Sequence, residues 1–182
     1  PLVIKAEYYF LRGVCFNYVL QYEDALFDLN TAIEMCDTVA EYYNQRGIVY
    51  SNMEKYPDAL IDFQTAIKMN PNAEFIHNNI GLAYEKNGFR DKAMELYKIS
   101  IRKHPYQSDS YYNLGRLYFE NRKYKTAIKY LKEAYLLNPN FGDITHVLGL
   151  CYVQIEEIET ACNYFQIAID AGSKNALNSQ KE

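Results

Sequence analysis

The chain has 182 residues, 49% of them hydrophobic, and a formal net charge of −4. That composition is ample for a buried core and excludes a disordered chain, while the missing concentration of Lys and Arg argues against a nucleic-acid backbone as the main partner. No apolar run approaches the roughly 18 residues of a membrane span, and the start PLVIKAEYYF lacks the basic residues and cleavage site of a signal peptide, so no membrane insertion is expected.

In chain order, the first predicted element carries Gly13 in a helix interior, where glycine costs about 1 kcal/mol relative to alanine. The same glycine returns as Gly47, Gly81, Gly115 and Gly149, always 34 residues on. Phe16, Tyr50, Tyr84, Tyr118 and Tyr152 follow three residues after each. Each second element carries an alanine early, Ala25, Ala59, Ala93, Ala127 and Ala161, and a second small residue seven later at Ala32, Ala66, Ser100, Ala134 and Ala168. Pro71, Pro105 and Pro139 close three of the units. In the third unit the apolar spacing predicts a helix from Glu74 to Asn87, ended by Gly88, and a second from Asp91 to His104. Pro57 falls in the first turn of its helix, where its missing N–H is tolerated. The pattern predicts ten helices in five antiparallel pairs, with units at 6–39, 40–73, 74–107, 108–141 and 142–173 in a single array over 1–182. Residues 174–182 are read as a polar cap or the start of a sixth unit.

This 34-residue unit resembles the tetratricopeptide repeat. The departures are few: Arg12 and Arg46 replace a leucine, and His77 and Thr145 replace a bulky aromatic. The resemblance implies an all-α solenoid, a right-handed superhelix whose first helices line a concave groove. It places Glu41, Asn44, Gln45, Phe75, Asn78, Asn79, Asp109, Tyr112, Asn113 and Arg116 on that inner face. Gln45, Asn79 and Asn113 fall in the slot where peptide-binding members carry an asparagine ladder. An amide offers a donor and an acceptor together, so each suits one peptide unit of an extended ligand. Phe10, Tyr18 and Phe119 are further inner-slot aromatics, and Glu7, Glu85, Glu120 and Asp143 make the face acidic.

The expected function is therefore a protein-interaction scaffold that binds an extended, neutral-to-basic peptide segment. Two alternatives stand beside it: the substrate-binding arm of a larger multidomain enzyme, and a structural assembly subunit that uses its outer face. Self-association through the array ends is a further expectation. The carboxylate clamp of chaperone-tail-binding members is absent, because its cationic positions fall on Phe75, Asn79, Asp109, Asn113, Asp143 and Val147. No phosphate-binding, dinucleotide or zinc-protease motif occurs, and no enzyme activity, cofactor or metal is expected. Cys15, Cys36, Cys151 and Cys162 read as packing residues, and the missing N-x-S/T sequon favours a cytoplasmic setting. The chain opens on Pro1 instead of Met, so a processed or excised form is also expected.

Overall fold

The computed structural model describes residues 2–173, and among them it contains ten helices and no strand. These are α1 (Leu2–Tyr18), α2 (Tyr22–Met35), α3 (Ala40–Asn52), α4 (Tyr56–Met69), α5 (Ile76–Lys86), α6 (Arg90–Lys103), α7 (Ser108–Glu120), α8 (Tyr124–Leu137), α9 (Gly142–Gln154) and α10 (Ile158–Asp170). They form consecutive antiparallel pairs, an all-α solenoid. The cap expected at 174–182 lies outside the described residues. No helix among the described residues is long and apolar enough to cross a membrane.

The chain divides into two compact units, 1–93 and 94–182. In the first, α1 packs on α2, α2 on α3, α3 on α4 and α4 on α5. Its apolar clusters gather Ala25, Leu29 and Val49, and separately Ala6, Ala32, Ile33 and Tyr42. In the second unit one cluster joins α8, α9 and α10 through Leu131, Ile144, Leu148, Cys151, Tyr152 and Ala161. Both small-residue series are fully buried, Ser100 included. Its hydroxyl meets that of Ser110 at 2.8 Å, so the polar departure from alanine is satisfied inside the core.

Gly47 shows why the unit needs a glycine. A Cβ there would come within 2.7 Å of the Phe63 ring and 3.2 Å of the Ala59 carbonyl oxygen, so only glycine lets α3 lie this close to α4. Phe63 in turn is almost wholly buried, which contributes about 1.5–3 kcal/mol. The turns inside the pairs repeat as well. Gly88 has φ +87, as its reading as a helix stop requires, but its counterparts Leu20, Glu54, Arg122 and Glu156 adopt the same left-handed conformation without being glycine. The paired backbone bonds Gly88 N–H to Glu85 and Phe89 N–H to Tyr84 recur at each turn, and that cooperation holds a side chain where it is disfavoured.

Three expectations are corrected. Helix α5 starts at Ile76, because Phe75 has φ +66 and bonds Asn79 through its carbonyl from outside the helix. Of the four cysteines only Cys151 is buried, its thiol pushed up to about 12 by desolvation, while Cys15 and Cys162 are exposed. His104, whose place at a helix end predicts exposure, is half-buried at the end of α6.

Arg12 and Arg46 turn into their own pairs. Arg46 donates from Nε and Nη2 to the two oxygens of Asp62 at 2.7 Å each, and Arg12 grips Asp28 at 2.6 and 2.7 Å. Both carboxylates are buried, at 1% and 3% exposure for Asp28 and Asp62. Arg46 also donates from Nη1 to the Asn30 side-chain oxygen at 2.7 Å, tying α3 back to α2. The hydrogen bond to Asp62 raises the Arg46 pKa against the opposing effect of burial.

Candidate peptide-binding surface

The first helices α1, α3 and α5 are neighbours in the first unit, as α7 and α9 are in the second. Side-chain amides join them. Asn52 donates to the Asn17 oxygen at 2.9 Å, linking α3 to α1, and Asn79 donates to the Asn44 oxygen at 3.2 Å, linking α5 to α3. Pairs of this kind arise because each amide carries both a donor and an acceptor, and residues 35 apart, one repeat and one position on, come face to face on adjacent helices.

Asn44 is 5% exposed and donates from its side-chain N–H to the Glu41 carboxylate at 3.3 Å. Gln45 donates to the same carboxylate at 2.8 Å, so the exposed Glu41 collects two amides and fixes their direction. Asn78 is buried. Gln45 and Asn79 are half-buried. The first unit thus brings Glu41, Asn44, Gln45 and Asn79 into one bonded group. Phe75 stands apart from it, 47% exposed on the turn ahead of α5 and off the helical stripe assigned to it.

In the second unit Asp109 is exposed in the first turn of α7, accepting from the Ser108 hydroxyl at 3.4 Å. Tyr112 meets the Phe141 ring edge-on with centroids 5.3 Å apart, and Asn113 is half-buried one residue on. Arg116 bonds Glu120 one turn later at 2.6 Å, so its charge is already answered within α7. On α9 the buried His146 has its pKa lowered by desolvation, with Asp143 opposing that shift. The inner-slot aromatic Phe10 is stacked on Tyr42 at 4.9 Å and serves to join α1 to α3.

These groups offer paired donors and acceptors along helix faces, a chemistry of recognition. Among the described residues no three His, Cys, Asp or Glu side chains gather as metal ligands do. Sequence reasoning missed Asp28, Asp62 and Asn30, which hold the two arginines. The signal was available: both pairs, Arg12 with Asp28 and Arg46 with Asp62, recur in step with the repeat.

A family model described as "Tetratricopeptide repeat" matches residues 40–73 and 108–141. No curated protein matches the chain in sequence. Among solved structures, pilF of Pseudomonas aeruginosa is similar at 18% identity and a TM-score of 0.85, over 93% of this chain and 77% of that one. MamA from Desulfovibrio magneticus RS-1 (41-end) is similar at 22% identity and 0.75, over 92% and 95%. YrrB, described as a TPR protein with an unusual peptide-binding site, is similar at 20% and 0.68, over 96% and 91%. At these identities the likeness is one of fold.

Proposed function

The chain belongs to the tetratricopeptide-repeat family, and from that premise we propose that it is a protein-interaction scaffold whose first-helix faces hold an extended, neutral-to-basic peptide segment of a partner. The observation that carries this reading is the bonded amide group of Glu41, Asn44, Gln45 and Asn79. Asn44 and Gln45 are oriented by the Glu41 carboxylate and Asn79 by the Asn44 oxygen, so a peptide N–H and C=O meet groups that need little ordering on binding. The charge favours a neutral or basic ligand. Glu7, Glu41 and Asp109 are exposed on these faces, whereas Arg116 is engaged by Glu120 and offers little to an acidic chain.

The test is a pull-down and titration of captured partners with wild type and an Asn79→Ala, Asn113→Ala double variant. At about 1 kcal/mol for each amide removed, affinity falls roughly 30-fold, and it weakens further with added salt. Retention of every partner at unchanged affinity by a folded double variant would refute the reading.

A further inference from the structure

The cations of this acidic chain are unevenly placed. On the second helices of the second unit, α6 from residue 94 onward and α8, Lys98, Arg102, Lys103, Lys125, Lys129 and Lys132 are all exposed, against the acids Glu95 and Glu133. Lys98 with Arg102, and Lys125 with Lys129, stand four residues apart on one helix face, a spacing at which like charges repel and weaken the helix. The fold does not answer the first pair. Among the described residues neither Lys98 nor Arg102 has an ion-pair partner or a side-chain hydrogen bond, and Lys98 lies over the Tyr118 ring at 6.0 Å from its centroid.

These two cations border a cleft of about 500 Å³, lined by Glu95, Lys98, Ile99, Ile101 and Arg102 of α6 and by Tyr130 of α8. A volume of that order holds a small ligand or a few side chains of a larger one. Glu95, Lys98, Ile99 and Arg102 fall at helical spacings of three and four, so α6 presents them as one wall. Glu95 stands two helical turns, about 10 Å, from Arg102, which leaves the wall positive at its Lys98 and Arg102 end. Ile99, Ile101 and the half-buried Tyr130 make the lining apolar beside those charges. The Tyr130 ring is held by a near-parallel stack on Tyr118, with centroids 5.4 Å apart, and its hydroxyl has no hydrogen bond among the described residues.

No other unit repeats the arrangement. The positions of Lys98 and Arg102 are Asn30 and Glu34 on α2 and Gln64 and Lys68 on α4, and on α6 alone are both cationic.

We propose that the cleft of α6 and α8 is a second recognition site, which takes an acidic segment of a partner protein. An apolar side chain of that segment enters between Ile99, Ile101 and Tyr130, and carboxylates beside it meet Lys98 and Arg102, whose guanidinium suits a carboxylate through two parallel N–H bonds. The aliphatic lining favours a protein over a single-stranded nucleic acid, which binds by stacking its bases on aromatic faces. The charge is opposite to that of Glu41 and Asp109 on the first helices, so the two sites select different partners. The inference goes beyond the peptide-binding reading and stands independently of it.

Calorimetric titration with the end-capped peptide Asp-Asp-Leu-Asp-Asp tests it. Wild type should bind, less tightly as salt is added, and serine in place of the leucine should weaken binding. Arg102→Glu should weaken it about tenfold, because a surface ion pair is replaced by a repulsion. Lys68→Glu makes the same charge change at the same exposed repeat position of α4, outside the cleft, and should leave the affinity unchanged. Lys98→Glu sets an acid four residues ahead of Arg102, the favourable order in a helix, so circular dichroism should show the fold kept while the peptide is lost. The Asn79→Ala, Asn113→Ala variant should bind this peptide as wild type does, which separates the two sites. Wild type that does not bind, an equal loss in Lys68→Glu and Arg102→Glu, or a serine peptide bound as tightly as the leucine one overturns the proposal. So does polyuridylate that binds more tightly than the peptide and is lost in Arg102→Glu, the signature of a phosphate-binding surface.

Discussion

Replacing Arg46 by leucine restores the residue type usual at this position of the repeat, yet the structure requires it to destabilise. Asp62 is 3% exposed, and both its oxygens accept from Arg46 at 2.7 Å. Arg46→Leu strands a buried carboxylate, which costs about 3–5 kcal/mol. Asn30 also loses its partner, but it is half-buried and can turn to water, so its share stays below about 1 kcal/mol. At a urea dependence of about 2 kcal/mol per molar, the unfolding midpoint drops by about 2 M.

The companion variant separates the pair from the stranded charge. Arg46→Leu with Asp62→Leu removes both, and the third unit already carries an apolar pair, Ile80 and Leu96, in the same register. Well-packed apolar replacements of buried ion pairs are neutral or stabilising by about 1–4 kcal/mol, so the double variant should match or exceed wild type. Stability in such arrays is close to a sum over units and their interfaces, so hydrogen exchange should place the single variant's loss in α3 and α4. A double variant as unstable as Arg46→Leu, or a single-variant loss below about 1 kcal/mol, would refute the reasoning.

Two further outcomes follow from backbone and burial. Glu54 has φ +61, which disfavours any side chain by about 1–2 kcal/mol, whereas glycine gives back part of that in the unfolded chain; Glu54→Gly should therefore stabilise by about 0.5–1 kcal/mol in urea unfolding, and Gly88→Glu should do the reverse. His146 has its folded pKa below the ordinary 6.5, so between those two values the unfolded chain binds the extra proton. Its contribution is present above about pH 6.5 and is lost as pH falls toward the folded value, at no more than about 1.4 kcal/mol per pH unit. The urea midpoint of wild type should therefore fall below pH 6.5 more steeply than that of His146→Gln.

The repeat made the fold legible because its small residues answer to backbone distance, which does not vary between units. Gly47 and Ala59 are needed whatever surrounds them, and both alanine-type series are buried throughout. The left-handed turn was legible only at Gly88. At Leu20, Glu54, Arg122 and Glu156 the paired backbone bonds enforce a conformation that the side chain does not announce. For the candidate surface, helical phase assigned positions, but phase does not say how deep a position lies. Asn44 is buried and half-buried Gln45 follows it because of what packs against α3, and Phe75 left the stripe because of the turn before α5. Arg12 and Arg46 carry this furthest. They share residue type, repeat position and a buried aspartate partner, so a sequence treats them as equivalent. The neighbouring helix makes them different: α2 supplies Asn30 to Arg46, and Arg12 keeps the corresponding donor pointed at no such amide.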